Sequence, residues 1–283
     1  MSSEWKIKQE ICEIGQRLYA RGYAAGNDGN ISYRLSHDTA LCTPTQICKG
    51  FMKPDDLCTV DMQGKQLAGK RKRTSEVLLH LEIYKADPSV KSVVHCHPPH
   101  ATAFGVARVD IPSCVLPEVE VFLGIVPRAD YETPGGENFA ETVRPFIGKA
   151  NTVVLSNHGT VSWGPTVERA FWHTEILDAY CRILLLAQQI GNVERLSGTK
   201  MNELLELKEK LGAGTDPRRA AGGGVCVNTG FGRSAKEGAD DQACGCAPDE
   251  DAPGTARGEL DEYDELVKNI TTRVMDGLQR SQG

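Results

Sequence analysis

The sequence lacks the features that direct a chain into a membrane or onto nucleic acid. None of its apolar runs approaches the roughly 20 residues that a transmembrane helix needs, and residues 1–8 are polar, without the apolar core of a signal peptide. The formal net charge is −6, so no basic surplus indicates binding to nucleic acid or to an anionic membrane. We therefore expect a cytoplasmic globular protein with neither kind of partner.

The usual nucleotide-binding loops are also missing. The chain contains no G-x-G-x-x-G motif between a strand and a helix, and it contains no P-loop. The glycines of residues 22–29 precede a predicted strand instead of joining a strand to a helix. The sequence therefore does not support a nucleotide cofactor.

The ten cysteines have neither the spacing of a disulfide scaffold nor that of a structural zinc site. Cys244 and Cys246 form a single C-x-C pair, and no second pair accompanies them. Seven others stand singly among apolar residues, as buried reduced thiols do. We expect free thiols at these positions, which are Cys12, Cys42, Cys48, Cys58, Cys96, Cys114 and Cys181.

Composition divides the chain into three parts. Residues 1–211 alternate helical and strand patterns, which predicts one α/β domain. Residues 212–258 are rich in glycine, alanine and aspartate and have few large apolar residues, which is the composition of a flexible linker. Residues 259–283 carry an apolar stripe at helical spacing and predict one isolated amphipathic helix.

Hydrophobic periodicity locates the main elements of the first part. A first helix is predicted to end near Gly22, and Thr166 is predicted to cap a long helix that is buried on more than one side. Thr74 is predicted to cap a third helix. The predicted strands are 31–34, 40–43, 91–96 and 152–156, and the second and third of these helices are 166–189 and 75–86.

The strongest indication of chemistry is a pair of histidines at the end of a predicted strand. Alternate residues of a strand point to the same face, so His95 and His97 project side by side. Another strand runs into a turn that carries His158. Three imidazoles leave a fourth metal position free, as in catalytic zinc sites, and we predict a divalent metal ion on these three residues. The other histidines are interpreted as packing or surface residues, and these are His37, His80, His100 and His173.

Glu76 lies at the start of a predicted helix beside two hydroxyl residues. The helix dipole stabilises a carboxylate there, and the functional alternative is a general acid/base or a fourth metal ligand. The same helix start offers free backbone N–H groups beside Thr74 and Ser75, which together form a seat for an anion such as phosphate. The Gly29-Asn30 turn adds backbone and amide donors to that seat.

Five segments together resemble the class II aldolase/adducin family in their order and separation. They are Gly29-Asn30-Ile31-Ser32-x-Arg34, Thr43-Pro44-Thr45, Ser75-Glu76, His95-x-His97-Pro98 and Asn157-His158-Gly159. The resemblance extends over residues 4 to 211. Within the family it is strongest to the L-fuculose-1-phosphate aldolases, with the rhamnulose-1-phosphate aldolases as relatives.

The resemblance implies a central, mostly antiparallel sheet flanked by helices, in a homotetramer with active sites between subunits. It implies one Zn2+ per subunit on the three histidines, with Glu76 as acid/base. The implied reaction is reversible cleavage of a 6-deoxyketose 1-phosphate to dihydroxyacetone phosphate and lactaldehyde, with the metal as Lewis acid. The implied phosphate-binding residues are Gly29, Asn30, Thr45, Thr74 and Ser75.

Two positions depart from the fuculose enzymes. Gln46 stands where they usually carry glycine, and Leu116-Pro117-Glu118 occupies the region of their catalytic tyrosine, which leaves protonation of the aldehyde oxygen to another group, such as a residue of a second subunit. Two other reactions of the fold stay open, those of a pentulose-phosphate 4-epimerase and of a methylthioribulose-phosphate dehydratase. A non-enzymatic adducin-like scaffold is disfavoured, because the three histidines and Glu76 are all retained.

The end of the chain resembles the encapsulation peptides that bind cargo enzymes to bacterial microcompartment shells. Those peptides are short amphipathic helices behind a flexible linker, and acidic residues begin this helix while Arg273 and Arg280 lie later, as the helix dipole favours. We predict contact with a shell protein through residues 259–281 and a location inside a microcompartment, where confinement limits a reactive aldehyde. The alternative is a helix that docks on its own oligomer.

Overall fold

A central eight-stranded sheet organises the part of the chain that the computed structural model describes, which is residues 3–212 together with Asp216, Arg218 and Cys226. The strands are β1 Asn30–Arg34, β2 Thr39–Cys42, β3 Cys58–Asp61, β4 Gln66–Ala68, β5 Ser92–Cys96, β6 Arg128–Ala129, β7 Thr152–Leu155 and β8 Gly159–Gly164. Their order across the sheet is β4-β3-β2-β1-β5-β8-β7-β6.

The prediction of a mostly antiparallel sheet flanked by helices is confirmed. Every neighbouring pair of strands is antiparallel except β6 and β7, which are parallel. The α-helices of the described residues are α1 Ser3–Ala20, α2 Val77–Ala86, α3 Pro99–Ala107, α4 Pro117–Phe122, α5 Glu137–Glu141, α6 Val167–Ile190 and α7 Gly198–Lys210. Within the same part of the chain, none of the helices combines the length and the apolarity that a membrane span requires.

The two predicted helix caps have different outcomes. Thr166 caps α6 as predicted, because its hydroxyl oxygen accepts a hydrogen bond from the backbone N–H of Arg169 at 3.0 Å. Thr74 does not cap α2, which begins two residues later than predicted and has Glu76 as the residue before its first turn. The Thr74 hydroxyl instead accepts from the Glu76 backbone N–H at 3.4 Å, so it braces the turn that leads into the helix.

The sheet separates two apolar layers, and β5 contributes to both because alternate residues of a strand point to opposite faces. Val93 packs into the layer that contains Leu79 of α2. Val94 packs into the layer that contains Ile11 of α1. His95, two residues after Val93, therefore lies on the face of the sheet that α2 covers.

Three described residues beyond position 212 are buried against this domain. The Arg218 guanidinium donates to the fully buried carboxylate of Glu120 at 2.6 Å and also pairs with Asp216 at 2.8 Å. Cys226 forms a disulfide with Cys114. The expectation of a free thiol at Cys114 is therefore wrong, because local periodicity carries no information about a partner 112 positions away.

The other six predicted thiols are free cysteines, and five of them are buried, with Cys48 only half-buried. The remainder of the predicted linker, including Cys244 and Cys246, lies outside the described residues, and so does the predicted helix of residues 259–283. Those predictions stay predictions.

Candidate active site

The structure brings together the three histidines predicted to bind a metal. His95 is the fourth residue of β5, His97 follows the end of that strand, and His158 lies in the turn between β7 and β8. One ring nitrogen of each lies within 4.8 Å of the others. The ring centroids are 4.7 to 5.1 Å apart. Two neighbouring strands and one tight turn thus hold three imidazoles around one point.

The protonation of His95 leaves one nitrogen available to a cation. Its Nδ1 donates to the backbone carbonyl of Thr160 at 2.9 Å, so Nε2 carries the lone pair and faces Nε2 of His97 at 3.3 Å. Burial, together with the neighbouring His97 and His158, holds the pKa of His95 well below its usual value. A neutral imidazole with a fixed Nδ1 proton is the form in which histidine binds a metal.

His158 supplies an independent sign that the cluster fits a bound ion. Burial lowers its pKa, and its Nδ1 is a buried polar atom with no hydrogen-bond partner among the described residues. Buried polar groups are seldom left unpaired, and an exception needs an explanation such as a missing ion or water. Three crowded imidazoles, of which His95 and His158 have lowered pKa values, match the ligand set of a divalent cation, and their nitrogens match the preference of zinc.

The turn that presents His158 depends on its neighbours. Asn157 has φ of 55°, a left-handed conformation that asparagine tolerates better than most residues. A Cβ at Gly159 would lie 2.5 Å from both the carbonyl oxygen of Cys96 and the Cδ2 of His97. Only glycine fits there, because β8 and the ring of His97 approach too closely for a side chain.

Glu76 faces the histidine cluster from the start of α2. Its carboxylate oxygens lie 3.4 Å from Nε2 of His95 and 3.3 Å from Nε2 of His158, and the side chain is about one-tenth exposed. Asn30 Nδ2 donates to the same carboxylate at 2.7 Å. The group is close enough to the three imidazoles to serve either as a ligand or as an acid/base beside a bound ion.

A cavity of about 180 Å3 joins this cluster to the predicted phosphate seat. All five residues of that seat contribute to its wall, together with Glu76, His97 and His158. They are Gly29, Asn30, Thr45, Thr74 and Ser75. A larger cavity of about 420 Å3 opens at the opposite end of β5 and β8, far from the three histidines, and we assign the chemistry to the smaller one.

Lys49 is a residue of this cavity that sequence reasoning missed. Its ammonium group is buried, with 1% of the residue exposed, and donates to the carbonyl oxygens of Asn27 at 2.8 Å and Ile47 at 2.7 Å. Burial lowers the pKa of Lys49 to about 8, although the charges of Asp28 and Glu76 oppose the shift. The available signal was a lysine placed among apolar residues between Ile47 and Phe51.

His80 is the second residue whose relation to the site was missed. It is fully buried on α2, and its Nε2 donates to the Oδ1 of Asn30 at 2.5 Å. The interpretation of His80 as a packing residue did not include this contact. Through it, Asn30 links the His80 ring to the Glu76 carboxylate. Its position one turn after Glu76 on the same helix was the only sequence signal.

The two positions that depart from the fuculose enzymes have different structural consequences. Gln46 has φ of 54°, the left-handed conformation that favours glycine, so the backbone keeps the shape that a glycine would give it. Leu116 is the residue before α4 and packs into an apolar cluster with residues such as Phe104 and Leu177. Residues 116–118 do not line the cavity.

The profile of the family described as Class II Aldolase and Adducin N-terminal domain matches residues 9–185. A 3-oxo-tetronate 4-phosphate decarboxylase of Cupriavidus necator is 33% identical over 217 residues, which cover 75% of this chain and 99% of that enzyme. An L-fuculose phosphate aldolase of Methanococcus vannielii is 35% identical over 175 residues, which cover 62% of this chain and 93% of that enzyme.

Solved structures with a similar fold also include aldolase-type proteins. YgbL from Escherichia coli, described as a putative aldolase/epimerase/decarboxylase, superposes with a TM-score of 0.67 at 29% identity and covers 73% of this chain and 100% of its own. An L-fuculose 1-phosphate aldolase superposes with a TM-score of 0.67 at 25% identity and covers 75% of this chain and 98% of its own. The names of the decarboxylase and of the two fuculose phosphate aldolases each contain a phosphorylated compound.

Proposed function

Because this chain belongs to the class II aldolase and adducin N-terminal domain family, we propose that it is a zinc-dependent aldolase for L-fuculose 1-phosphate or L-rhamnulose 1-phosphate. It cleaves its substrate reversibly to dihydroxyacetone phosphate and L-lactaldehyde. The observation that carries the proposal is the meeting of three histidine nitrogens within 4.8 Å of one another, beside Glu76 and at one end of a cavity with hydroxyl and amide donors.

The phosphate end of the substrate is held by neutral donors and one cation. Thr45, Thr74 and Ser75 offer hydroxyl groups to the cavity, and the turn at Gly29 offers backbone N–H groups. Lys49 supplies positive charge from the floor of the same cavity. Binding the phosphate there fixes the reacting carbons near the histidines, which replaces a chance encounter by a positioned one.

His95, His97 and His158 would hold the cation, and Glu76 would handle the proton. When bound, the cation supplies positive charge beside the ketone oxygen of the substrate, where negative charge develops as the C3–C4 bond breaks. Glu76 returns a proton to C3 after cleavage and removes it in the direction of synthesis. Asn30 donates to this carboxylate at 2.7 Å and so holds its position relative to the substrate carbon.

A second candidate reaction is decarboxylation of a 3-oxo-tetronate 4-phosphate, the substrate in the name of the Cupriavidus enzyme. Loss of CO2 from that acid leaves the same phosphorylated three-carbon enediolate as loss of lactaldehyde from the ketose phosphate. The observation that favours it is Leu116, which packs among apolar residues where the fuculose enzymes have a tyrosine. Aldol cleavage needs a group that exchanges the proton of the C4 hydroxyl, whereas decarboxylation needs none.

The experiment is a substrate panel on zinc-loaded protein with products identified by mass spectrometry. Fuculose 1-phosphate, rhamnulose 1-phosphate, 3-oxo-tetronate 4-phosphate and ribulose 5-phosphate are each tested with and without a chelator. Lactaldehyde from a deoxyketose phosphate, lost on chelation, supports the proposal. CO2 release without any aldol cleavage replaces it by the second candidate, and epimerised ribulose 5-phosphate as the main product contradicts both.

We also propose that the protein is a homotetramer. Apolar side chains that stay at least 40% exposed in the single chain, on and after α6 and α7, support contact with further copies. They are Ile183, Leu186, Ile190, Leu207 and Leu211. Light scattering of the full-length protein tests the proposal, and a monomer at micromolar concentration contradicts it.

The sequence pattern of residues 259–281 supports a further proposal, binding to a microcompartment shell protein. The test is a deletion of residues 259–283 that retains Arg218 and Cys226, because those two residues are buried against the catalytic domain. We expect the truncated enzyme to keep its activity and to lose co-purification with shells. Continued shell association of the truncated enzyme would contradict the proposal.

A further inference from the structure

A chain of buried hydrogen bonds runs from α2 to the carboxylate of Glu76. Asn30 Nδ2 donates to Glu76 Oε2 at 2.7 Å, and His80 Nε2 lies 2.5 Å from Asn30 Oδ1. The His80 Nδ1 lies 2.7 Å from the hydroxyl of Ser32, which lies 2.7 Å from the hydroxyl of Tyr84. Asn30, Ser32, His80 and Tyr84 are each at most 4% exposed, so water does not compete for these groups.

The chemistry of the groups gives the chain one direction. The amide oxygen of Asn30 only accepts, so Nε2 of His80 is the donor. Burial lowers the pKa of His80 to about 3, so the ring is neutral and Nδ1 accepts from the Ser32 hydroxyl. Ser32 has then used its proton, and Tyr84 donates to it. Each hydrogen bond of this chain is therefore donated in the direction of Glu76.

The opposite direction of these hydrogen bonds is disfavoured at the Glu76 carboxylate. If the Asn30 amide turned over, its oxygen would face the carboxylate of Glu76, and its NH2 group would face His80. An amide oxygen against the carboxylate would leave two buried acceptors without a proton between them, which is unfavourable. The ring proton on Nε2 of His80 therefore selects the amide orientation that donates to Glu76.

We propose that His80 is a positioning residue that acts through Asn30 to fix the orientation of the Glu76 carboxylate. The carboxylate then keeps its place 3.3 Å from His158 and 3.4 Å from His95 while the donors of the chain stay satisfied. The proposal rests on the acid/base role proposed for Glu76. His80 touches neither substrate nor metal, so its effect is expected on kcat more than on KM.

The first experiment measures kcat of His80→Leu and His80→Gln with the substrate that the panel identifies. Glutamine keeps a donor toward Asn30 and an acceptor toward Ser32, whereas leucine removes both. We expect His80→Leu to lower kcat by about 10- to 100-fold, the usual effect of removing a supporting hydrogen bond in an active site. We expect His80→Gln to restore most of the rate. His173→Leu is the matched control, because His173 is also buried on a helix but its Nδ1 hydrogen-bonds to the backbone carbonyl of Trp163, outside this hydrogen-bond chain.

The second experiment tests whether His80 acts through Asn30. In an Asn30→Ala background, His80→Leu is expected to lower kcat by less than about twofold further, because residues that act in series are not additive. If His80→Leu lowered kcat by the same factor in the Asn30→Ala background as in the wild type, the proposal would be overturned. If His80→Leu does not fold, Ser32→Ala takes its place, since it removes the donor that fixes the His80 ring proton, and an unchanged kcat in that variant overturns the proposal as well.

A crystal structure of His80→Leu separates this inference from the proposed function. We expect the amide of Asn30 to turn or the carboxylate of Glu76 to leave its place near His158. An unchanged contact between Asn30 and Glu76 would overturn the inference even if the enzyme were a decarboxylase. Absence of lyase activity in the wild-type protein would instead refute the proposed function and leave the structural result valid.

Discussion

The ammonium group of Lys49 donates to the carbonyl oxygen of Asn27 at 2.8 Å and so ties a buried cation to the turn that leads to Gly29. The ionisable groups of the same cavity include the carboxylates of Asp28 and Glu76. A phosphate dianion brought beside two carboxylates is repelled unless a positive charge accompanies it. Lys49 is the lysine placed to provide that charge.

We expect Lys49→Met to raise the KM of the phosphorylated substrate by about 10- to 100-fold, because a hydrogen bond to a charged group contributes about 1.5–3 kcal/mol. Inorganic phosphate should also become a weaker competitive inhibitor. Lys53→Met is the control, since Lys53 is exposed and should leave both constants unchanged. Equal KM values in Lys49→Met and wild type would exclude the charge from phosphate binding.

The same lysine predicts a pH dependence of stability. Its pKa is about 8 in the folded protein against an ordinary value of 10.5, so between these pH values the unfolded chain binds the additional proton. Stability from this group therefore rises as the pH increases from 8 to 10.5 and is least favourable below 8. Denaturant titrations should show the unfolding free energy of the wild type rising relative to that of Lys49→Met over that interval.

Glu76→Gln is expected to lower kcat by about 10²- to 10⁴-fold, the usual contribution of a general acid/base. The amide occupies the same space, so the fold should be retained and zinc should still raise the melting temperature. Glu118→Gln is the control, because Glu118 is exposed at the start of α4. A Glu76→Gln enzyme with more than a tenth of the wild-type rate would remove Glu76 from the reaction.

Zinc binding should appear as thermal stabilisation, independently of any substrate. A ligand at 100 times its Kd stabilises the folded state by about 2.7 kcal/mol, and this gain should vanish in His158→Ala. His37→Ala should retain it, since the His37 side chain is almost completely exposed. Equal melting shifts in His158→Ala and wild type would mean that the metal binds elsewhere.

Gly159→Ala is expected to destabilise the protein by about 1–3 kcal/mol, as overpacking usually does, and to weaken zinc binding. The added methyl group would have to displace the backbone of Cys96 or the ring of His97. Gly136→Ala is the matched control, because its Cβ would meet no atom within 4 Å and its φ is −91°. Chemical denaturation and zinc titration of both variants measure the two effects.

Arg218→Met should be strongly destabilising although the residue lies in the predicted linker. It leaves the fully buried Glu120 without its cation, and breaking a buried ion pair costs about 3–5 kcal/mol. Arg144→Met is the comparison, since its partner Glu82 is buried but the arginine side chain is 62% exposed, and an exposed pair contributes about 0–1 kcal/mol. Similar midpoints for the two variants in urea would show that residues near 218 do not stabilise the domain.

Four of the eight strands in the described part of the chain, and the first two histidines of the cluster, were predictable because their signals are local. Each of the four predicted strands agrees with the structure to within one residue at both ends, since side-chain alternation is written directly into the sequence. His95 and His97 stand two residues apart on one strand end. The pairing of that strand with β8, which brings His158 close to them, was not predicted.

The residues that were missed act across long separations. His80 reaches Asn30 across 50 positions, and Cys114 reaches Cys226 across 112. Lys49 stands among apolar residues in the sequence, but nothing in its neighbours shows that two backbone carbonyls will surround its ammonium group. Such contacts depend on the packing of elements, and neither periodicity nor spacing contains that information.

The pairing of Asn30 opposite His95 at the centre of the sheet bears on the order of events during folding. The hydrogen bonds from Asn30 to Glu76 and from His95 to Thr160 join residues 46 and 65 positions apart. The site therefore forms only after β1, β5 and β8 have paired. Contacts between distant residues form slowly, and the chain closes these loops before the three histidines can meet. A cation on the three histidines would therefore bind a sheet that has already assembled, and we expect the refolding rate to be the same with and without added zinc.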